Sequence, residues 1–292
     1  MSTALHALLS GIVDYAGMFP PAALDVQAAA RHYAQYRAGE DKWMLGRFVV
    51  GVAKLPELRS FVASTKPVEP WPITVVVPDA AAATAVLRGV DDAALRIESV
   101  EVRVQNPADI ALVARAAPKT REVYLEIPLD GSLATMLDAI AAARLRAKVR
   151  AGGLTADAFP STDQLVVFIR GCIERNIPFK ATAGLHHPLR GSYRLSYDAG
   201  APLGEMYGYL NVFLAAAFMK VGLSDTEAAV LLTESDASAF SIEDGAIRWH
   251  DHTVDVETLR STRSRLATSF GSCSFREPVD ELPFSNASQA AR

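Results

Sequence analysis

Along this chain the spacing of apolar residues switches repeatedly between two and about 3.6 positions, the periods of strand and helix. Residues 47–53, 73–77, 100–104, 123–127, 147–151 and 177–183 form short runs rich in valine, isoleucine and alanine, and read as strands. Between them, residues 25–37, 55–64, 80–88, 107–116, 132–144 and 161–176 carry helical spacing. Pro107 stands at a helix start, and Ser161, Thr162 and Asp163 supply capping chemistry. Residues 11–19, stopped by Pro20-Pro21, predict a first strand, and residues 239–249 an eighth, after a helical insertion at 207–234. Strand and helix in alternation predict a parallel sheet. Eight such strands predict a closed α/β barrel of the (β/α)8 (TIM) type. No G-x-G-x-x-G loop follows a strand, which disfavours an open dinucleotide-binding sheet. The expected organisation is one barrel domain over residues 1–282, with a lid or interface insertion at 190–234 and a tail at 283–292.

Alternation within the strands sorts side chains by face. Val100, Val102 and Val104 share one face, leaving Glu101 and Arg103 on the other. By the same rule Tyr124 and Glu126 oppose Val123, Leu125 and Ile127. Lys148 and Arg150 oppose Ala147, Val149 and Ala151, while Lys180 and Thr182 oppose Phe179, Ala181 and Ala183. Flanking helices take the apolar face, so the polar set points into the lumen. It carries four cations against two carboxylates, and burying uncompensated charge is costly. A small anionic substrate is the expected partner.

Overall charge changes this picture little. The 29 Lys+Arg and 33 Asp+Glu give a net charge of −4, which speaks against nucleic acid as a bulk partner. The apolar run at 210–221 is too short for a membrane span and contains Lys220. With no secretory leader pattern, the expectation is a cytoplasmic protein with no membrane partner. Two cysteines make no disulfide framework: Cys172 fits an apolar helix face, and Cys273 would need a neighbouring base to be reactive.

The loops after the late strands add chemistry. Gly152-Gly153 follows Arg150 and Ala151, where glycine permits close backbone approach to an anion. His186-His187 follows Lys180, and one imidazole is expected as acid or base, the other as a binding or packing group. A metal site built from His186 or His187 with Glu126 is an alternative; His250 and His252 form a second histidine pair. Residues 190–209 exceed an ordinary connection, which favours a lid or interface loop; 207–221 are apolar nearly all round, so that helix is either deeply covered or at a subunit interface, and a homo-oligomer is the favoured reading. At the other end, Asp14 or Tyr15 could reach the lumen, or the segment could clasp the barrel bottom.

Phe179-Lys180-Ala-Thr-Ala-Gly184, with Lys148 and Ala151-Gly152-Gly153, resembles class I aldolases of the deoxyribose-phosphate aldolase type. The likeness spans about forty residues, and the order of the two strands is reversed. The chain pattern as a whole also resembles bacterial (β/α)8 barrel proteins. The aldolase resemblance implies a Schiff-base lyase with no cofactor. Lys180 would form the imine, Lys148 would lower its pKa, and Glu126, Tyr124 or His186 would move the proton. Substrate contacts fall to Arg150, Arg103, Glu101, Gly152, Gly153, Thr182 and His187. A metal-dependent lyase or hydrolase, a phosphoribosyl transferase-like barrel and a non-catalytic anion-binding protein are the competing readings.

Overall fold

The computed structural model describes residues 2–88 and 93–284. The chain opens with helix α1 (Thr3–Leu9) and strand β1 (Val13–Tyr15), followed by α2 (Val26–Ala38) and β2 (Leu45–Gly51). Strict alternation continues through α3 (Leu55–Ser64), β3 (Trp71–Val77), α4 (Ala80–Leu87), β4 (Leu95–Arg103), α5 (Pro107–Ala116) and β5 (Glu122–Glu126). It is completed by α6 (Leu133–Ala143), β6 (Arg146–Arg150), α7 (Thr162–Glu174) and β7 (Phe179–Thr182).

A longer passage then separates β7 from the last barrel strand. It holds a hairpin of β8 (Gly191–Arg194) and β9 (Leu203–Met206), and the helices α8 (Tyr209–Lys220) and α9 (Asp225–Thr233). A small antiparallel sheet of β10 (Phe240–Ile242), β11 (Ala246–Trp249) and β12 (His252–Asp255) comes next, then α10 (Val256–Arg265). The barrel closes with β13 (Ala267–Ser272), and α11 (Arg276–Asp280) follows.

Eight parallel strands make the closed barrel, in the order β1-β13-β7-β6-β5-β4-β3-β2. The protein is therefore a (β/α)8 barrel. Local chemistry agrees with the ends of its helices. Asp25, Asp79, Asn106 and Asp255 each accept a backbone N–H as N-caps, and Ser161 and Ser224 form full capping boxes.

Two expectations need correction. Residues 239–249 do not form the eighth barrel strand. They build β10 and β11 of the accessory sheet, in antiparallel pairing, while the closing strand lies at Ala267–Ser272. The closing strand hides in Ala-Thr-Ser-Phe-Gly-Ser, whose small and hydroxylated residues give almost no β signal. It is strand because β1 and β7 hydrogen-bond it on both sides.

The apolar helix α8 is also not an open interface. All its residues from Tyr209 to Met219 are buried within the single chain, against α7, α9, α10, β12 and β13. The argument from this helix to a homo-oligomer therefore fails. Residues 285–292, most of the expected tail, lie outside the described residues; Leu282 is buried and Phe284 packs against the core.

Candidate active site

The C-terminal ends of the strands open into a cavity of about 460 Å³, the face on which barrels of this type build their sites. Its floor is a ladder of alternating charge. Lys148 Nζ lies 2.7 Å from Glu101 and 2.9 Å from Glu126. Lys180 Nζ lies 2.5 Å from the other oxygen of Glu101 and 2.6 Å from Asp14. Lys148 and Lys180 are register neighbours on β6 and β7, so their like charges sit side by side. Glu101, reaching in from β4, bridges both and makes that arrangement tolerable.

Asp14 is tied further. One oxygen accepts from the Ser269 hydroxyl at 2.8 Å, the other from the Arg47 backbone N–H at 2.8 Å. Glycine at position 46 makes room for this carboxylate; a Cβ there would press on it and on the Gly11 carbonyl. Strand β1 thus supplies the counter-charge of β7.

The lysines are accordingly not the unpaired cations expected from the strand pattern. Three carboxylates surround two ammonium groups. Burial alone would lower both lysine pKa values, but the carboxylates outweigh it and hold both above the ordinary lysine value. Burial likewise raises the Glu101 pKa, and the two lysines overturn that and push it down to about 2. The expected lowering of the Lys180 pKa by Lys148 is overturned by the carboxylate between them.

Placement divides the expected site residues. Lys148, Glu101, Glu126, Arg103, Arg150, Gly153, Thr182, His186 and His187 all line the cavity. Lys180 does not: it is fully buried beneath the floor. Tyr124 is also excluded, because its hydroxyl turns toward the opposite end of the barrel. There it donates to Glu122, pairs with Thr268 and accepts from Arg146.

Gly152 sits behind the wall. A Cβ at this position would come within 2.9 Å of the Gly184 Cα, so the residue serves a close backbone approach rather than ligand contact.

The unpaired cations are at the rim. Arg103 and Arg150 are exposed at the ends of β4 and β6, line the cavity, and make no ion pair among the described residues. Arg194, from the hairpin, joins them and donates to the Ala199 carbonyl at 2.7 Å. Leu195, Ser196 and Tyr197 from the same hairpin cover one side, and Phe19-Pro20-Pro21 after β1 forms another wall.

The histidines are fixed by α11 and the residue after it. His186 Nδ1 lies 2.9 Å from Glu277, and His187 Nδ1 lies 2.6 Å from Glu281 while its ring stacks on Tyr193. Among the described residues, no three His, Cys, Asp or Glu side chains converge as metal ligands. His250 and His252 belong to the accessory sheet, where His252 pairs with Glu227.

Strand alternation could not reveal three contributors. Asp14 lies on a strand of only three residues, 166 positions from its lysine. Arg194 and Glu277 come from the hairpin and from α11, where no period marks an inward face. None of the helices among the described residues is long and apolar enough to cross a membrane. No protein-family model and no curated protein sequence matches this chain.

Proposed function

We propose that this protein is a lyase of the aldolase kind, acting beside the carbonyl group of a small anionic compound, an oxo-acid or a sugar phosphate. The observation that carries the reading is Lys148, among the described residues the one lysine lining the cavity, held between Glu101 and Glu126 below two arginines that make no ion pair with a described carboxylate. The arginines would take the anionic group, which leaves the carbonyl above Lys148.

On the covalent route, Lys148 passes a proton to Glu126, its amine adds to the carbonyl carbon, and water leaves. The protonated imine draws electrons from the Cα–Cβ bond of a β-hydroxy substrate as the hydroxyl gives its proton to a base and departs as an aldehyde; the enamine left on Lys148 takes up a proton, and water hydrolyses the imine to free the product and the lysine. This moves the nucleophile from Lys180, as the aldolase resemblance implied, to Lys148.

A second route is favoured by the raised Lys148 pKa. Here the lysine stays charged and its ammonium stabilises the enolate oxygen without a covalent bond.

Borohydride reduction in the presence of a panel of small oxo-acids and sugar phosphates separates the routes. An adduct on Lys148, absent in Lys148→Met, supports the imine. Turnover without any adduct supports the ammonium route. Neither turnover, adduct nor anion binding across the panel would overturn the enzymatic reading.

A further inference from the structure

A second chemical centre faces the same cavity from the end of β13, next to β1. Cys273 follows directly on β13, and its Sγ lies 3.4 Å from the Tyr197 hydroxyl and 4.0 Å from His186 Nδ1. Tyr197 in turn donates to Glu277 at 3.1 Å, and the same carboxylate oxygen pairs with His186 at 2.9 Å. Cys273, His186, Tyr197 and Glu277 all line the cavity. Four side chains from three segments of the chain thus meet around one sulfur, one carboxylate and one imidazole nitrogen.

The arrangement has the parts that activate a thiol. A carboxylate accepts from both neighbours, so the His186 Nδ1 carries its hydrogen and the Tyr197 O–H points at Glu277. The tyrosine oxygen is then left as acceptor for the thiol proton. Once the thiol proton is lost to water at the cavity mouth, the Tyr197 O–H can turn from Glu277 to the sulfur and donate to the thiolate. The imidazole beside the sulfur adds to the effect. Burial pulls the His186 pKa down, but Cys273 and Glu277 outweigh it and hold it up to about 9, so the ring is cationic at neutral pH. That cation faces the negative charge that the sulfur carries during attack.

We propose that Cys273 is a reactive nucleophile of this cavity, and that it adds to the carbonyl carbon of small aldehydes carrying an anionic group. In that addition the sulfur–carbon bond forms and the carbonyl π pair moves to oxygen. The oxygen takes up the proton that the thiol released, so the product is a thiohemiacetal and nothing is oxidised or reduced. Arg103, Arg150 and Arg194 at the rim select for the anionic group.

The proposal does not depend on chemistry at Lys148. Because Tyr197 is carried by the loop of the hairpin while the thiol is carried by the barrel, this contact exists only with the hairpin seated over the mouth.

Alkylation of the native full-length chain, followed by peptide mass mapping, tests this with iodoacetate and iodoacetamide as probes. Cys172, fully buried in α7 and pushed to a higher pKa by burial, is the internal control. Cys273 is expected to react at least about a hundredfold faster than Cys172. Iodoacetate should also gain about tenfold on iodoacetamide relative to free cysteine in the same buffer, because its carboxylate meets the arginine rim.

Tyr197→Phe and His186→Gln should each slow the reaction about tenfold. Glyoxylate, an aldehyde with a carboxylate, should protect Cys273. Alkylation of Cys273 is read on the wild-type chain without borohydride, and the lyase reading on turnover and adducts at Lys148, so failure of the lyase reading and failure of this one are separable. Equal rates at the two cysteines, or no preference for the anionic probe and no protection by glyoxylate, would overturn the proposal. These wild-type comparisons decide even if a variant misfolds.

Discussion

The floor and the rim of the cavity both carry cations, and those cations behave in opposite ways. On the floor, Asp14, Lys180, Glu101, Lys148 and Glu126 form an unbroken ladder with every gap between 2.5 and 2.9 Å. At the rim, Arg103 and Arg150 end their strands in solvent without a carboxylate partner. A buried ladder tolerates no missing member, because removal of one partner strands the charge of another. An exposed arginine loses little by standing alone, and is free to meet a charge that arrives from outside. The floor is therefore bound up with stability and the rim with recognition. Lys148, at the boundary, takes part in both.

Lys180→Met probes the floor at its deepest point and should have the largest effect. It leaves Asp14 and one oxygen of Glu101 without their cation, which is expected to cost roughly 3–5 kcal/mol in urea unfolding. A stability within about 0.5 kcal/mol of the parent would show that the ladder does not hold the barrel.

Acid should reveal the same ladder without mutation. The Glu101 pKa is depressed from 4.5 to about 2 in the folded protein, so its contribution is present above pH 4.5 and lost as pH falls toward 2. The expected loss is on the order of 3 kcal/mol, read from the urea midpoint as a function of pH. The two lysines act at the other limit. Their folded pKa values lie above 10.5, so their contribution is complete below that pH and lost as pH rises through the folded values.

Gly184→Ala tests the wall between floor and rim. Gly184 has φ +71° and its missing Cβ would lie 2.8 Å from the Gly152 Cα, so a loss of about 1–3 kcal/mol is expected in thermal or urea unfolding.

The smallest effect belongs to the rim. Arg150→Ala should leave unfolding within about 0.5 kcal/mol of the parent. It should weaken inorganic phosphate, followed by titration calorimetry, by about 1 kcal/mol, with a smaller loss at higher salt. A large stability loss here would erase the contrast between the two regions.

The contrast also explains what could be read from residues alone. Four strands with clean alternation, β4 to β7, placed Glu101, Glu126, Lys148 and Lys180 on the lumen side, because period two leaves no other choice once helices cover the apolar face. Counter-charge follows no period. Asp14 meets Lys180 only because β13 brings β1 round to close the ring, and β13 carries no strong strand signal of its own. The same holds at the opposite wall. Cys273 was visible as a thiol in need of a base, but His186 and Glu277 come to it through the loop after β7 and through α11. Alternation also says which face a side chain takes and not how deep it lies, which is why Tyr124 shares the lumen side and still points away from the cavity.

The clasp between Asp14 and Lys180 gives the order of synthesis a meaning. A ribosome releases Asp14 first, Lys180 166 residues later, and Ser269, the third member, 255 residues after Asp14. Until Ala267–Ser272 has emerged, β1 and β7 cannot be joined, since β13 is the strand that pairs with both. A chain halted short of that point holds seven strands with two open edges and a lysine still lacking half of its counter-charge. Such an intermediate cannot complete the site by itself, and its two unpaired edges stay open to pairing with another chain until the last strand arrives.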